Sequence, residues 1–328
     1  MIFRQLFDPE SSTYTYLIGD EATREAVVVD PVLGHERRDL DTLSQEGLRL
    51  SWVLDTHVHA DHVTGANALK AATGAMTAVA DACNAPGYDH ALVDGERIAF
   101  GAEFLTAIAT PGHTPGSTCF TWRDRVLTGD TLLIGGCGRT DFQDGDPRAL
   151  YGSITRRLFT LPEATLVFPG HDYRGREQSS IGDERRANPR LAGRTEDEFV
   201  KIMESLGLAR PRRIDEAVPL NKAAGPIAEG DVLWGSIPAA SAAQAMGRAG
   251  VVVADLRDPN LAAADPLPGS VLVPYHDFDR MAELASRCSS LILVCGIGQR
   301  SMVAARELAA MGVKNVANVV GGIRSMRA

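Results

Sequence analysis

Four apolar, β-branched runs in the first 171 residues each lead to a side chain able to bind a metal. LSWVLDT runs into His57, FLTAIATPG into His113, RVLTG into Asp130 and TLVFPG into His171. Runs of this kind, closed by Gly, Pro or Asp, read as strands. Strands packed in sheets bring their ends to a shared edge, where loops supply the chemistry and the sheets supply rigidity. The chain is thus constrained to a fold in which four distant positions meet. YTYLIG and EAVVVDP are further strands, and helical patterns at His35–Gly47, Thr64–Thr73 and Pro147–Leu161 lie between some of the runs. The expected class is mixed α/β.

With 328 residues there is room for two domains of ordinary size. Texture changes over residues 205–229, SLGLARPRRIDEAVPLNKAAGPIAE, where Pro211, Pro219 and Pro226 accompany alanine and glycine. This predicts a boundary, with one domain over 1–222, a linker over 223–228 and a second domain over 229–328. In the second part VVVADLRD and SLILVC read as buried strands, while Ala239–Ala249 and Ser301–Met311 read as helices. Continuous apolar runs separated by helices predict a small parallel sheet.

Composition excludes several classes. No apolar run approaches the length of a membrane span. The start, MIFRQLFDPESSTYTYLIG, lacks the pattern of a secretory signal, so a cytoplasmic setting is expected. Five cysteines, odd in number and without a CxxC pair, argue for reduced thiols over a disulfide framework or a structural zinc. The net charge is −9, and since residues 223–328 carry nine of each sign, the excess acid lies in residues 1–222. Nucleic acid is therefore not an expected partner. A homo-oligomer is left open.

The stretch Thr56–Gly65, THVHADHVTG, places His57, His59, Asp61 and His62 in an HxHxDH array. Nitrogen and oxygen donors of this density suit zinc or iron. His35, His90 and His276 stand alone and read as surface or capping residues. HxHxDH together with His113, Asp130 and His171 resembles the metallo-β-lactamase superfamily over residues 1–222. That resemblance implies an αββα sandwich with metal at one edge. The donors would suffice for two zinc ions, with His57, His59 and His113 on one, Asp61, His62 and His171 on the other, and Asp130 bridging. A thioester hydrolase similar to glyoxalase II would use them so.

DTLLIGGCGRTDFQDGD, from Asp130, and PGHDYRG, around His171, are more similar to the persulfide dioxygenases of that superfamily, as is THVHADHVTG. This implies one ferrous iron, Fe(II), per chain, held by His57, His113 and Asp130 in a 2-His-1-carboxylate triad with three positions open. His59, Asp61, His62 and His171 would then orient the ligands or bind water. The implied substrate is glutathione persulfide, oxidised by O2 to sulfite and glutathione. A soft, anionic persulfide sulfur suits ferrous iron, and zinc lacks the one-electron chemistry. Arg139 and Tyr173 match positions that contact glutathione in these proteins. For Arg139 the alternative is a surface ion pair with Asp141 or Asp144. Cys83, Cys119 and Cys137 read as small buried apolar groups.

In SLILVCGIGQRS a buried strand delivers Cys295 to a short loop, Gly296, Ile297, Gly298, Gln299 and Arg300, with a helix expected from about Ser301. Loop amides and the helix N-terminus aim partial positive charge at the sulfur, and Arg300 adds a full charge. A thiolate is favoured there, and the loop with Ser301 would cradle an anionic sulfur donor. CGIGQRS, with ADLRD upstream and VVGGI near the end, resembles the rhodanese family over residues 229–328. That implies a sulfurtransferase carrying sulfane sulfur on Cys295. Many thiosulfate-using members have a second basic residue in this loop, whereas here Arg300 is its only cation. Thiosulfate and polysulfide therefore both stand as donors. The non-catalytic alternative is a sulfur-sensing or docking module.

Overall fold

Along the strand Thr13–Gly19, Tyr14, Tyr16 and Ile18 point to one side and Leu17 to the other, yet all are buried. A strand covered on both faces needs a layer on each side. The computed structural model supplies them, and it describes residues 2–211, 213–225, 237, 239–296, 298–319 and 321–327. By compactness the chain divides into residues 1–32 with 39–225, and residues 33–38 with 226–328.

The first unit is a sandwich of two six-stranded sheets. One runs in chain order from β1 (Ile2–Asp8) through β2 (Thr13–Gly19), β3 (Glu25–Val29), β4 (Arg49–Leu54) and β5 (Met76–Ala80) to β6 (His90–Leu92). Its β1–β3 pairs are antiparallel and its β3–β6 pairs parallel. The other contains β7 (Arg97–Phe100), β8 (Glu103–Ala109), β9 (Thr118–Trp122), β10 (Arg125–Gly129), β11 (Leu166–Pro169) and β12 (Ser179–Ser180), in reverse order across the sheet. Only β10 and β11 pair in parallel there. Tyr16, Ile18, Val27, Val29 and Leu54 of the first sheet meet Leu105, Phe120, Leu127 and Phe168 of the second in the central core.

The alternate residues face outwards onto helices. Leu17, Val28 and Val53 pack with Leu43 of α1 (Glu36–Gln45) and Leu69 of α2 (Ala66–Thr73). Val126 and Val167 pack with residues of α3 (Pro147–Arg156), α4 (Ile181–Ala187) and α5 (Glu196–Glu204). Period-two alternation thus builds both the inter-sheet core and the helix-covered faces, which makes the unit an αββα sandwich. The helical pattern expected to reach Leu161 stops at Arg156, and a 3₁₀ turn, Leu158–Thr160, follows.

The stretch expected to mark a boundary contains α6 (Ile214–Lys222), with Pro219 inside it. Its buried residues Ile214, Ala217 and Asn221 recur at a helical spacing that the prolines obscured. Residues 226–236 of the expected linker and second-domain start lie outside the described residues.

The second unit holds a four-stranded parallel sheet of β13 (Val251–Asp255), β14 (Ser270–Leu272), β15 (Ser290–Val294) and β16 (Val316–Asn318), ordered β14-β13-β15-β16. Its helices are α7 (Ala239–Ala245), α8 (Pro259–Ala264), α9 (Phe278–Ser286), α10 (Gln299–Ala310) and α11 (Gly322–Met326). Ala254, Leu291 and Leu293 pack with α9 and α10, whereas Val253, Ile292 and Val294 pack with α7 and α11. The helix after Cys295 begins at Gln299, two residues earlier than expected, and α7 ends four residues sooner than its pattern. Among the described residues no helix is long and apolar enough to cross a membrane.

Candidate metal centre and cysteine loop

Beyond the ends of β4, β8 and β10, one donor atom each from His57, His113 and Asp130 lies within 4.8 Å of the others. Hydrogen bonds set which imidazole nitrogens are bare. His113 Nδ1 is 2.7 Å from the Arg139 carbonyl, which can only accept, so Nε2 carries the lone pair. Thr56 Oγ1 donates to Asp30 Oδ2 (2.9 Å) and therefore accepts from His57 Nδ1 (3.0 Å), again leaving Nε2 bare. Two neutral imidazoles and a carboxylate are a donor set that fits a divalent transition metal.

His59, Asp61 and His62 form a second group within the same 4.8 Å criterion. His59 Nε2 donates to Asp30 Oδ1 at 3.0 Å, and His62 Nδ1 lies 2.9 Å from Asp61 Oδ2. Their other nitrogens, His59 Nδ1 and His62 Nε2, are buried without a hydrogen-bond partner among the described residues. A bare buried nitrogen of this kind costs stability unless a ligand fills the space beside it.

His171 differs from the other histidines of the centre. Its Nδ1 lies 2.6 Å from Asp130 Oδ1 and its Nε2 lies 2.9 Å from Asp61 Oδ2, so carboxylates occupy both nitrogens. Burial opposes charge on this ring, but Asp130 and Asp61 outweigh it and hold its pKa well above the usual histidine value. Burial also opposes ionisation of Asp130, and His171, His113 and His57 nevertheless keep its carboxyl well below the ordinary range. By contrast, burial and then the neighbouring imidazoles push His57 well down, and burial leads in lowering His59 to about 3. His57, His59 and Asp130 are thus held in metal-binding protonation states.

The sequence reading missed Asp30. It follows β3, a fifth strand that leads to a side chain able to bind a metal, and it adopts φ +52°, a conformation that Asp tolerates better than most residues. Asp30 also accepts from Thr56 N at 2.7 Å, so one buried side chain fixes His59 directly and His57 through Thr56. Asp55, in LSWVLDT, accepts from Thr64 Oγ1 (2.8 Å) and Tyr88 OH (2.5 Å), and burial first among the causes raises it to about 6. The signal for Asp30 was present in EAVVVDP, but a short spacing to other donors was not. His35, expected to be a surface or capping residue, is buried and directly precedes α1.

Arg139 is bidentate to Asp141 (2.6 and 2.7 Å) and donates to the carbonyls of Ala209 and Leu208 (2.6 and 3.1 Å). Its guanidinium carbon sits 4.6 Å from the Phe142 ring centroid. The ion pair anticipated as the alternative is formed, and the guanidinium has its fork committed. Tyr173 is exposed, with its ring stacked near the His171 ring at 6.2 Å and 9°.

At the end of β15, Cys295 is buried, and its Sγ lies 3.4 Å from Ser301 N and 3.5 Å from Ser301 Oγ. Those are its hydrogen-bond donors among the described residues. Arg300 is exposed, with its guanidinium carbon 5.9 Å from the Tyr275 ring centroid. Ile323 N bonds Cys295 O (2.8 Å) and Arg324 N bonds Gly296 O (3.3 Å), so the turn at Gly321 and Gly322 braces the cysteine loop. Gly298 has φ +89° and Gly322 φ +60°. Ile297 lies outside the described residues, and only the backbone of Gln299 is described. Elsewhere, burial raises Cys83 to about 12 and Cys119 and Cys137 to about 11, as expected of inert thiols.

Residues 8–171 match the metallo-beta-lactamase superfamily, and residues 238–328 match the rhodanese-like domain. The mitochondrial persulfide dioxygenase ETHE1 of Bos taurus is 45% identical over 227 residues, which span 69% of this chain and 89% of that protein. The crystal structure of ETHE1 from Myxococcus xanthus superposes with a TM-score of 0.68 at 53% identity, covering 69% of this chain and all of that one. A metallo-beta-lactamase structure from Staphylococcus aureus COL shares the fold over 98% of both chains, at 22% identity and a TM-score of 0.66. The chain therefore belongs to the metallo-beta-lactamase superfamily, in the family of the persulfide dioxygenases, and carries a C-terminal rhodanese-like domain. Membership implies a metal in the first unit.

Proposed function

We propose that the first unit oxidises glutathione persulfide and that the second supplies sulfur through Cys295. The balanced reaction takes glutathione persulfide, dioxygen and water to glutathione and sulfurous acid. The observation that carries this reading is the His57, His113 and Asp130 trio, in a chain that over 69% of its length is 45% identical to a persulfide dioxygenase and 53% identical to ETHE1 of Myxococcus xanthus. These three residues would hold one iron per chain, and ferrous iron, when bound, supplies one-electron redox chemistry that zinc lacks.

The chain's own residues prepare the site. Thr56 and the Arg139 carbonyl keep the Nδ1 protons of His57 and His113 away from the metal side. His171, held between Asp130 and Asp61, keeps both carboxylates ionised and in place. Tyr173 is the exposed group beside His171 that can meet glutathione. Arg139 would grip a glutathione carboxylate only by releasing Asp141, and otherwise it serves by presenting its carbonyl to His113. In the second unit, Ser301 N–H and the start of α10 stabilise a Cys295 thiolate or its persulfide. Attack by glutathione on that persulfide releases the thiolate and yields the substrate of the first unit. Thiosulfate or a polysulfide would reload Cys295.

A second reading has an observation of its own. The bare nitrogens of His59 and His62 could bind another metal beside Asp61, which would suit a dizinc thioester hydrolase. Metal analysis of anaerobically purified protein, with oxygen uptake on preformed glutathione persulfide, separates the two. About one iron per chain with stoichiometric uptake is expected. Two zinc ions, no uptake and hydrolysis of a glutathione thioester would replace the first reading with the second.

A further inference from the structure

The histidine array depends on a side chain 159 residues away from His62. Asn221, fully buried at the end of α6, donates from Nδ2 to the carbonyls of His59 (2.9 Å) and His62 (2.8 Å). Its Oδ1 accepts from Thr64 N at 2.8 Å. One primary amide thus uses both protons and its oxygen on three backbone groups of the 59–64 loop. Those groups belong to fully buried residues, so removing the amide leaves them unpaired. Because the carbonyls of His59 and His62 are held, the Cα positions of both histidines are held, and with them the directions of His59 Nδ1 and His62 Nε2.

We infer that Asn221 is a positioning residue for the metal centre: its amide fixes the backbone of residues 59–64, and with it His59, His62 and Asp61, the last of which holds His171 against the ligand Asp130. The inference rests on the metal-site reading above. The residues that follow α6 are tied by Asn67, whose Nδ2 donates to Ala223 O (2.8 Å) and Gly225 O (3.2 Å) and whose N–H bonds Ala224 O (3.0 Å). Asn67 steadies residues 223–225 without bonding the carbonyls of His59 or His62. It therefore separates two roles that a single variant would confound, since general support for the segment is shared and direct support for the loop belongs to Asn221.

The test uses full-length protein stripped of metal and titrated with Co(II), whose visible absorption reports ligand geometry, and with Fe(II) in competition with a chelator. Asn221→Ala should stay folded by circular dichroism, bind either metal at least tenfold more weakly and show an altered Co(II) spectrum. Asn67→Ala should lower the melting temperature while leaving metal affinity within about twofold. Should Asn221→Ala not fold, Asn221→Ser, which keeps one donor and one acceptor, and the isosteric Asn221→Asp, which sets a carboxylate against two carbonyls, provide the same readout. Wild-type affinity and spectrum in the folded Asn221 variants, or equal weakening by Asn67→Ala, would overturn the inference. Failure of the dioxygenase reading is a separate result, because it would appear as absent oxygen uptake in the wild-type protein with metal affinity unaffected.

Discussion

The two units solve one problem differently. Both place chemistry just past the end of a buried strand, where a rigid sheet meets a loop. In the first unit, residues beyond β3, β4, β8, β10 and β11 contribute, and His59, His113 and His171 are steered by partners distant in sequence: Asp30, Arg139 O, and Asp130 with Asp61. In the second unit one strand end suffices, since Cys295, its loop and Ser301 lie within seven consecutive residues and Ser301 does the steering through its amide and hydroxyl. A metal needs several convergent side chains, so its site is a property of the whole sandwich. A sulfur nucleophile needs one polarised pocket, so its site is nearly local.

The sharpest way to break this comparison is a double dissociation. Asp130→Ala should strip the metal and abolish oxygen uptake with any substrate, while sulfur transfer to glutathione continues. Cys295→Ser should do the reverse, because a hydroxyl cannot carry sulfane sulfur: uptake driven by thiosulfate or polysulfide with glutathione is lost, and uptake on preformed glutathione persulfide survives. If Cys295→Ser leaves donor-driven uptake intact, the second unit is a regulatory module and the comparison fails.

A smaller effect tests whether steering at a distance matters. Asp30→Asn keeps the size and tolerance of a positive φ but loses the charge that accepts from Thr56 and His59. Metal affinity should fall about 10- to 100-fold, measured by chelator competition, with the melting curve little moved. Unchanged affinity would make the first site as local as the second.

The smallest expected effect sharpens the local side. A Cβ at Gly322 would lie 2.3 Å from Cys295 O and 2.5 Å from Gly298 N, at φ +60°. Gly322→Ala should destabilise the second unit by about 1–3 kcal/mol and slow sulfur transfer, while metal content stays at the wild-type level. Thermal unfolding followed alongside transfer and metal assays checks this, and loss of metal in that variant would show that the two sites are not independent.

Much was legible in one dimension. The β-branched runs TYTYLIG and EAVVVDP, closed by turn residues, mark strands, the strand ends announce His57, His113, Asp130 and His171, and CGIGQRS announces a strand, loop and helix around a thiol. These signals are local periodicities and turn residues, which short-range sterics and burial impose wherever the segment sits. Only the tertiary structure decided that Asp30 and Asn221 serve the histidine loop, that His171 spends both nitrogens on carboxylates, and that Arg139 is paired with Asp141. It also turned the proline-bearing stretch after residue 210 into a helix, because the buried face of Ile214, Ala217 and Asn221 outweighs the backbone bond that Pro219 forgoes. Most of those partners come from segments far apart in the chain. Hydrogen-bond partners at such separations are chosen by strand order and packing, and that choice leaves no periodic mark on the sequence.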